Sequence, residues 1–213
     1  MSRTTVHLLR HGKVHNPHGI LYGRLPGYAL STSGLAMADA AATSMAGRDI
    51  VFVMASSLER AQQTAGPIAR QAGVEVVTDD RVIEADNFFA GSRVIGRGGS
   101  LRRPENWPKL RDPRTPSWGE PYLQIAHRML AAVYRAHDAA IGHEAVIVSH
   151  QLPIWTIRRF LEGHRLWHNP AVRQCALASL TSLNFDDGVY TGFDYTEPAG
   201  HIIGEDDGVE AGA

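Results

Sequence analysis

The amino-acid sequence predicts an α/β protein, a three-layer sandwich in which helices flank a mostly parallel central sheet. Short apolar runs alternate along the chain with longer stretches of helical spacing. Two of the runs, residues 5–9 and 145–149, stop abruptly at polar residues that include His11 and His150. Ligands of such folds bind beyond the carboxyl ends of the strands, so we expect the functional site there.

The remaining elements follow from periodicity and from end signals. Ser31 or Ser33 can cap the first helix, Gly47 can end it, and Pro121 suits a first helical turn. Helices are predicted over residues 30–46, 58–71, 121–140 and 151–161, and further strands over residues 50–55, 74–78, 177–185 and 189–193.

The 213 residues, of which 44% are hydrophobic and 20% charged, suffice for one globular unit. We predict a single domain over residues 1–196. Within it, residues 86–119 show neither period and are interpreted as a lid-like insertion. The polar, glycine-rich tail at residues 197–213 carries too little apolar surface to offset the entropy of ordering it, and is predicted to be disordered.

Composition excludes several classes of partner. The formal charge of −1, from 21 basic and 22 acidic residues, gives no global field for nucleic acid or for a membrane surface. The sequence has no run of about 18 apolar residues and no apolar leader at its amino terminus. The single cysteine, Cys175, cannot form an intrachain disulfide. We expect a cytoplasmic protein, and the oligomeric state stays open.

Five residues just past predicted strand ends form a coherent set for handling phosphate: Arg10, His11, Arg60, Glu84 and His150. A transferring phosphoryl group spreads its charge over three oxygens that need several donors at once. An imidazole attacks only through an unprotonated nitrogen, so His11 needs an acceptor, such as a backbone carbonyl, on its other nitrogen. Glu84 can protonate the leaving group if its pKa is raised. The expected ligand is a small phosphorylated metabolite.

Three motifs carry a family resemblance. The segment LLRHG, with its RHG triplet, occupies residues 8–12, SLERAQQTA occupies residues 57–65, and VSH occupies residues 148–150. Together they resemble the histidine phosphatase superfamily, which includes the phosphoglycerate mutases. The resemblance spans most of the chain and implies a phosphoglycerate mutase-like fold.

The resemblance also implies roles. His11 would become phosphorylated, while Arg10, Arg60 and His150 would hold the phosphate. Glu84 would protonate the leaving group. Neither a metal nor another cofactor is required, because the arginines and histidines supply the positive charge.

The first motif departs from the family pattern, since Lys13 and Val14 replace the usual acidic and hydroxyl residues. A hydroxyl contact to phosphate is therefore expected to be missing. Asn16 and Arg24 lie where family members place residues that touch phosphate or substrate. For Asn16 a turn before Pro17, and for Arg24 a surface salt bridge, are equally compatible with the sequence.

The lid-like insertion is rich in arginine, at positions 93, 97, 102, 103, 111 and 114. By position it resembles the variable segment that closes over substrate in the superfamily, and it would then set specificity. A solvated loop is the alternative.

Three functions compete. A phosphatase passes the phosphoryl group from His11 to water, a phosphoglycerate mutase-type enzyme passes it to a second substrate hydroxyl, and a catalytically silent module only binds a phosphorylated ligand. Residues 85–91, ADNFFAG, do not resemble the mutase sequence after the glutamate, which favours the phosphatase. The five-residue set argues against the silent module, although Val14 keeps it open.

Overall fold

The computed structural model describes residues 2–94 and 99–202 of the chain. The strands are β1 (Arg3–Arg10), β2 (Ile50–Ala55), β3 (Val76–Thr78), β4 (Glu144–Ser149), β5 (Leu180–Asp186) and β6 (Val189–Thr196). The helices are α1 (Thr32–Ser44), α2 (Glu59–Ala72), α3 (Tyr122–Ala139) and α4 (Gln151–Leu161). Among the described residues, no helix has both the length and the apolarity to cross a bilayer.

All six strands form one sheet in the order β3-β2-β4-β1-β5-β6. The strands β3, β2, β4 and β1 run parallel, whereas β5 and β6 pair antiparallel at one side. The predicted mostly parallel sheet is thus confirmed. The register pairs Arg10 of β1 with Ser149 of β4. His11 and His150 follow these two residues and so leave the same edge of the sheet side by side.

Two apolar layers cover the faces of the sheet, as the sandwich prediction required. Val6 and Leu8 of β1 belong to the cluster that contains Ile125 of α3. Leu9, which points the other way because side chains alternate along a strand, packs with Ile68 of α2. Each of these fully buried aliphatic side chains stabilises the fold by about 1.5–3 kcal/mol.

The strand β5 begins three residues later than predicted. The sequence pattern placed its start at residue 177, but residues 176–179 form a turn in which Ser179 N–H donates to the Ala176 carbonyl. Ala178 has φ +52° there, a conformation that a continuous strand does not allow. The strand β3 is also shorter, since it starts at residue 76 rather than 74.

The predicted disordered tail is wrong at its beginning. Ala199 is 2% exposed and belongs to the apolar cluster between the sheet and the helices α1 and α2, and Ile202 packs against that cluster. This burial supplies the apolar contact that the prediction took to be lacking. Residues 203–213 lie outside the described residues.

The lid-like insertion has short helical turns but no long element in its described part. An antiparallel bridge between Asn87 and Gly119 closes its base, and 3₁₀ helices cover Ser100–Arg102 and Pro104–Leu110. Arg93 donates to the His18 carbonyl, while the arginines at 102, 103, 111 and 114 are exposed. Residue 97 lies outside the described residues.

A close backbone contact attaches α1 to the loop after β1. Ser31 caps α1 by accepting a hydrogen bond from Gly34 N–H, and Ser31 N–H donates to the Lys13 carbonyl. A Cβ atom built on Gly34 would lie 1.9 Å from the Lys13 carbonyl oxygen, and one built on Gly12 would lie 2.5 Å from the Gly34 carbonyl oxygen. Glycine at both positions therefore lets the helix reach the RHG triplet.

The substitution Gly34→Ala is expected to lower the free energy of unfolding by about 1–3 kcal/mol or more, since backbone must move to admit the methyl group. Gly66→Ala in α2 is the matched control. Its Cβ meets only the flexible end of Arg70, at 3.2 Å, so the better helix propensity of alanine should leave the protein equally or more stable. Urea denaturation of both variants checks this, and equal losses would contradict the packing argument.

Candidate active site

His11 is held as a neutral imidazole with a fixed tautomer. Its side chain is buried, and Nδ1 lies 2.8 Å from the Gly12 carbonyl oxygen. A carbonyl can only accept, so Nδ1 carries the proton and Nε2 carries the lone pair. Burial, and then the charges of Arg60 and Arg10, hold the pKa of His11 well below its usual value of 6.5, against a smaller opposing effect of the Gly12 bond. The backbone carbonyl is the acceptor that the sequence led us to expect.

His150 faces His11 with a ring-centroid distance of 5.1 Å. Its Nε2 lies 2.8 Å from Ser56 Oγ, whereas its Nδ1 is buried without a hydrogen-bond partner among the described residues. Burial, followed by the charge of Arg60, lowers the pKa of His150 well below 6.5. If the Ser56 hydroxyl donates to Nε2, the neutral ring presents Nδ1–H to an anion.

Two buried guanidinium groups are oriented by backbone carbonyls. Arg10 Nη1 donates to the Cys175 carbonyl at 2.8 Å, and Arg60 Nη2 donates to the Gly23 carbonyl at 2.6 Å. Arg60 also lies over the ring of Tyr22, 4.7 Å from its centroid. Carbonyl dipoles fix the direction of these groups without cancelling their charge, so both remain suited to hold an anion. Arg60 lies in the first turn of α2, as predicted.

Glu84 is a fully buried carboxyl group close to these cations. Its Oε1 accepts a hydrogen bond from Ala85 N–H at 2.8 Å, and its Oε2 has no partner within the described part of the chain. Burial raises the pKa of Glu84, while the Ala85 bond and the charges of Arg60, Arg173 and Arg10 act in the opposite direction. The raised pKa is the property that a proton donor to the leaving group needs.

The remaining candidates, Asn16 and Arg24, differ in what they contact. Both ends of the Asn16 amide bond to the backbone of Ile20, at 2.8 and 3.1 Å, which is the turn role. Arg24 donates from Nε to the Glu84 carbonyl at 2.6 Å and from Nη2 to Glu120 at 2.9 Å. Arg24 is thus brought to the main chain of Glu84. Direct substrate contact by Asn16 or Arg24 stays a prediction.

Val14, the departure from the family motif, is buried and forms an isolated bridge with Leu30. Its side chain packs at the base of the loop after β1. The Val14 side chain thus makes an apolar contact at this position.

Sequence reasoning missed a group of residues beside Glu84. Arg173 donates from Nε to His168 Nε2 at 2.9 Å and from Nη1 to Gln151 Oε1 at 3.2 Å. Its charge acts on the pKa of both Glu84 and Tyr122. Burial lowers the pKa of His168 to about 4, which keeps this partner of Arg173 neutral. Gln151 directly follows the motif residue His150, and this proximity is the local sequence signal that pointed to the group.

The comparison with known families places the chain in a family. Residues 6–194 match the family model of the histidine phosphatase superfamily, branch 1, so the match contains the motif histidines, arginines and Glu84. The chain belongs to the histidine phosphatase superfamily.

Relatives of this superfamily member include the uncharacterized protein Rv0525 of Mycobacterium tuberculosis. It is 56% identical over 196 residues, which cover 92% of this chain and 97% of Rv0525. Two solved structures share the fold. The Bacillus stearothermophilus protein YhfR has a TM-score of 0.75 at 21% identity, covering 89% of this chain and 95% of YhfR. The mycobacterial glucosyl-3-phosphoglycerate phosphatase Rv2419c has a TM-score of 0.72 at 22% identity, covering 91% of this chain and 97% of the Rv2419c chain.

The buried neutral His11 makes the stability of this superfamily member depend on pH. Below about pH 6.5 the unfolded chain binds a proton at His11 that the folded chain excludes, so stability falls as pH falls, by up to about 1.4 kcal/mol per pH unit for each such histidine. His11→Asn is expected to make this slope less steep between pH 6.5 and the lower pKa of the folded state. Denaturant unfolding at several pH values checks this. The opposite contribution of Glu84 is common to both proteins, so equal slopes would contradict a neutral His11.

Proposed function

We propose that this protein is a phosphatase that hydrolyses small phosphomonoester metabolites through a phosphohistidine intermediate on His11. The observation that carries the proposal is a set of buried polar atoms around the neutral His11. Arg60 Nε, His150 Nδ1 and Glu84 Oε2 have no hydrogen-bond partner in residues 2–94 and 99–202. Each such atom costs about 1–3 kcal/mol. A bound phosphomonoester supplies acceptors for the two nitrogens and an oxygen that can take a proton from the protonated Glu84.

In the first step of the proposed reaction, His11 Nε2 attacks phosphorus and the bond from phosphorus to the leaving oxygen breaks. Glu84 gives its proton to that oxygen, so an alcohol departs and Glu84 becomes a carboxylate. The imidazole ring gains positive charge, which the Gly12 carbonyl stabilises through Nδ1–H. Arg10 and Arg60 stabilise the negative charge on the equatorial oxygens.

In the second step, the Glu84 carboxylate takes a proton from water while the water oxygen attacks phosphorus. The bond from phosphorus to His11 Nε2 breaks, inorganic phosphate leaves, and neutral His11 and protonated Glu84 return. The net reaction consumes one water and one phosphomonoester and yields one alcohol and one phosphate. A mutase would differ only here, because a second substrate hydroxyl would replace the water.

The structural neighbour Rv2419c is a glucosyl-3-phosphoglycerate phosphatase, which suggests where to look for a substrate. A panel should include phosphorylated sugars, glucosyl-3-phosphoglycerate and 3-phosphoglycerate. Release of inorganic phosphate from these compounds identifies a phosphatase. Conversion of 3-phosphoglycerate into its 2-phosphate isomer without phosphate release would instead identify a mutase.

Replacing the nucleophile is expected to abolish activity. His11→Ala should lower hydrolysis of p-nitrophenyl phosphate by at least about 10³-fold, because the acceptor of the first step is gone. His164→Ala is the matched control, since its side chain is 57% exposed and lies outside the site. Labelled phosphate should be trapped on the wild type as an acid-labile, base-stable adduct at His11. If the His11→Ala variant hydrolysed p-nitrophenyl phosphate as fast as the wild type, the result would contradict the mechanism.

The role of Glu84 predicts a dependence on the leaving group. An alkoxide needs a proton, so Glu84→Gln should slow alcohol release from glycerol 3-phosphate in the first turnover by about 10²–10⁴-fold. p-Nitrophenolate leaves without a proton, so its first-turnover release should fall far less. Rapid-quench measurement of the first turnover isolates this step from the later attack of water. An equal loss with both substrates would contradict the proton-donor role.

A further inference from the structure

Glu120 joins two arginines at the point where the lid-like insertion returns to α3. Its Oε2 accepts from Arg24 Nη2 at 2.9 Å and from Arg128 Nη2 at 3.0 Å, and its Oε1 accepts from Arg128 Nε at 2.8 Å. The Glu120 side chain is only 13% exposed and that of Arg128 only 16%. Ion pairs so shielded from water are screened much less than surface pairs.

The same two arginines hold the main chain that carries Glu84. Arg24 Nε donates to the Glu84 carbonyl at 2.6 Å, and Arg128 Nη1 donates to the Arg81 carbonyl at 2.7 Å. Between these two carbonyls, the Val82 carbonyl accepts a hydrogen bond from the Ser149 hydroxyl on β4, at 2.7 Å. The segment 81–84 is therefore fixed at three carbonyl oxygens, two of them by the partners of Glu120.

Glu120 is also part of the base of the lid-like insertion. Its N–H donates to the Asp86 carbonyl at 3.2 Å, and Phe88 N–H donates to the Trp118 carbonyl at 2.7 Å. A Cβ atom on Gly119 would lie 2.5 Å from the Asp86 carbonyl oxygen, so the two segments of this base approach closely. The position of Glu120 is thus tied to the first residues after Glu84.

Loss of the Glu120 charge would leave two guanidinium groups close together without their shared carboxylate. Each would repel the other, and each could then turn toward water, since Arg24 is already 38% exposed. If both guanidinium groups rotated away, the carbonyls of Arg81 and Glu84 would lose these hydrogen bonds. A displacement of about 1 Å at the proton donor is enough to slow a reaction about 100-fold.

We propose that Glu120 is a positioning residue for Glu84, acting through Arg24 and Arg128 on the main chain that carries the carboxyl group. The inference rests on the proposed function, because it concerns proton donation to the leaving group. It gives Arg24 a role at the reacting carboxyl group that requires no contact with substrate.

A merely structural role for Glu120 would lower stability and slow all substrates alike. A positioning role shows itself in the ratio of first-turnover rates for glycerol 3-phosphate and p-nitrophenyl phosphate. Glu120→Gln keeps the shape and removes the charge, and is expected to lower this ratio at least about 10-fold. In Glu84→Gln/Glu120→Gln the ratio should equal that of Glu84→Gln alone, since two residues that act as a unit are not additive.

Glu144 offers a matched control. Its carboxylate accepts from His7 Nε2 at 2.9 Å and from Arg48 Nη1 at 3.4 Å, and its side chain is 24% exposed. It lies at the start of β4, at the opposite end of that strand from His150, and neither contact involves the segment 81–84. Glu144→Gln should therefore lower the melting temperature while keeping the ratio of rates near that of the wild type. Arg24→Gln, at a more exposed position, should lower the ratio even if Glu120→Gln fails to fold.

A wild-type ratio in both Glu120→Gln and Arg24→Gln, together with a lowered ratio in Glu84→Gln, would overturn the inference and leave the proposed function intact. The same would follow if Glu144→Gln lowered the ratio as much as Glu120→Gln. An unchanged ratio in Glu84→Gln would contradict proton donation by Glu84 itself, and the inference would fall with it.

Discussion

The structure depends on burying guanidinium groups beside a neutral imidazole where two parallel strands end. Moving a charge out of water costs several kcal/mol unless partners replace the lost hydration. Arg10 and Arg60 find such partners in the backbone carbonyls of Cys175 and Gly23. Because carbonyls do not neutralise the charge, the positive potential persists at His11. The fold therefore supplies orientation and leaves the neutralisation of the site to a bound anion.

Backbone contacts around His11 also hold the imidazole and the guanidinium groups in place. Ala178 has a positive φ of 52°, and its N–H donates to the His11 carbonyl at 3.3 Å. A non-glycine residue in this region costs about 1 kcal/mol or more, which the surrounding contacts must offset. On the other side, Gly12 N–H donates to Thr64 Oγ1, which itself donates to the Arg60 carbonyl. One hydroxyl thus connects the loop that carries His11 to the helix that carries Arg60.

The sequence predicted the parts of this site that follow buried strands. An apolar run that ends just before His11 or His150 is a local sequence pattern. The parallel register of β1 and β4 then makes the two histidines neighbours. Contacts between distant segments left no local pattern. Arg24 and Glu120 are 96 positions apart, and Arg173 lies in an aperiodic loop, so neither pairing could be predicted. The start of β5 was misplaced for the same reason, because the turn before it is held by a contact with the distant His11.

The arginines act on Glu84 in two opposite ways during the proposed reaction. Burial raises the pKa of Glu84, and the charges of Arg60, Arg173 and Arg10 oppose this effect in part. In the proposed reaction, a phosphomonoester dianion bound to Arg10 and Arg60 offsets that positive charge and so raises the pKa of Glu84 further. Substrate binding therefore favours the protonated form of Glu84 just when a proton donor is required. When the alcohol leaves in the proposed reaction, the charge of Arg173 stabilises the carboxylate of Glu84 until water gives it a proton.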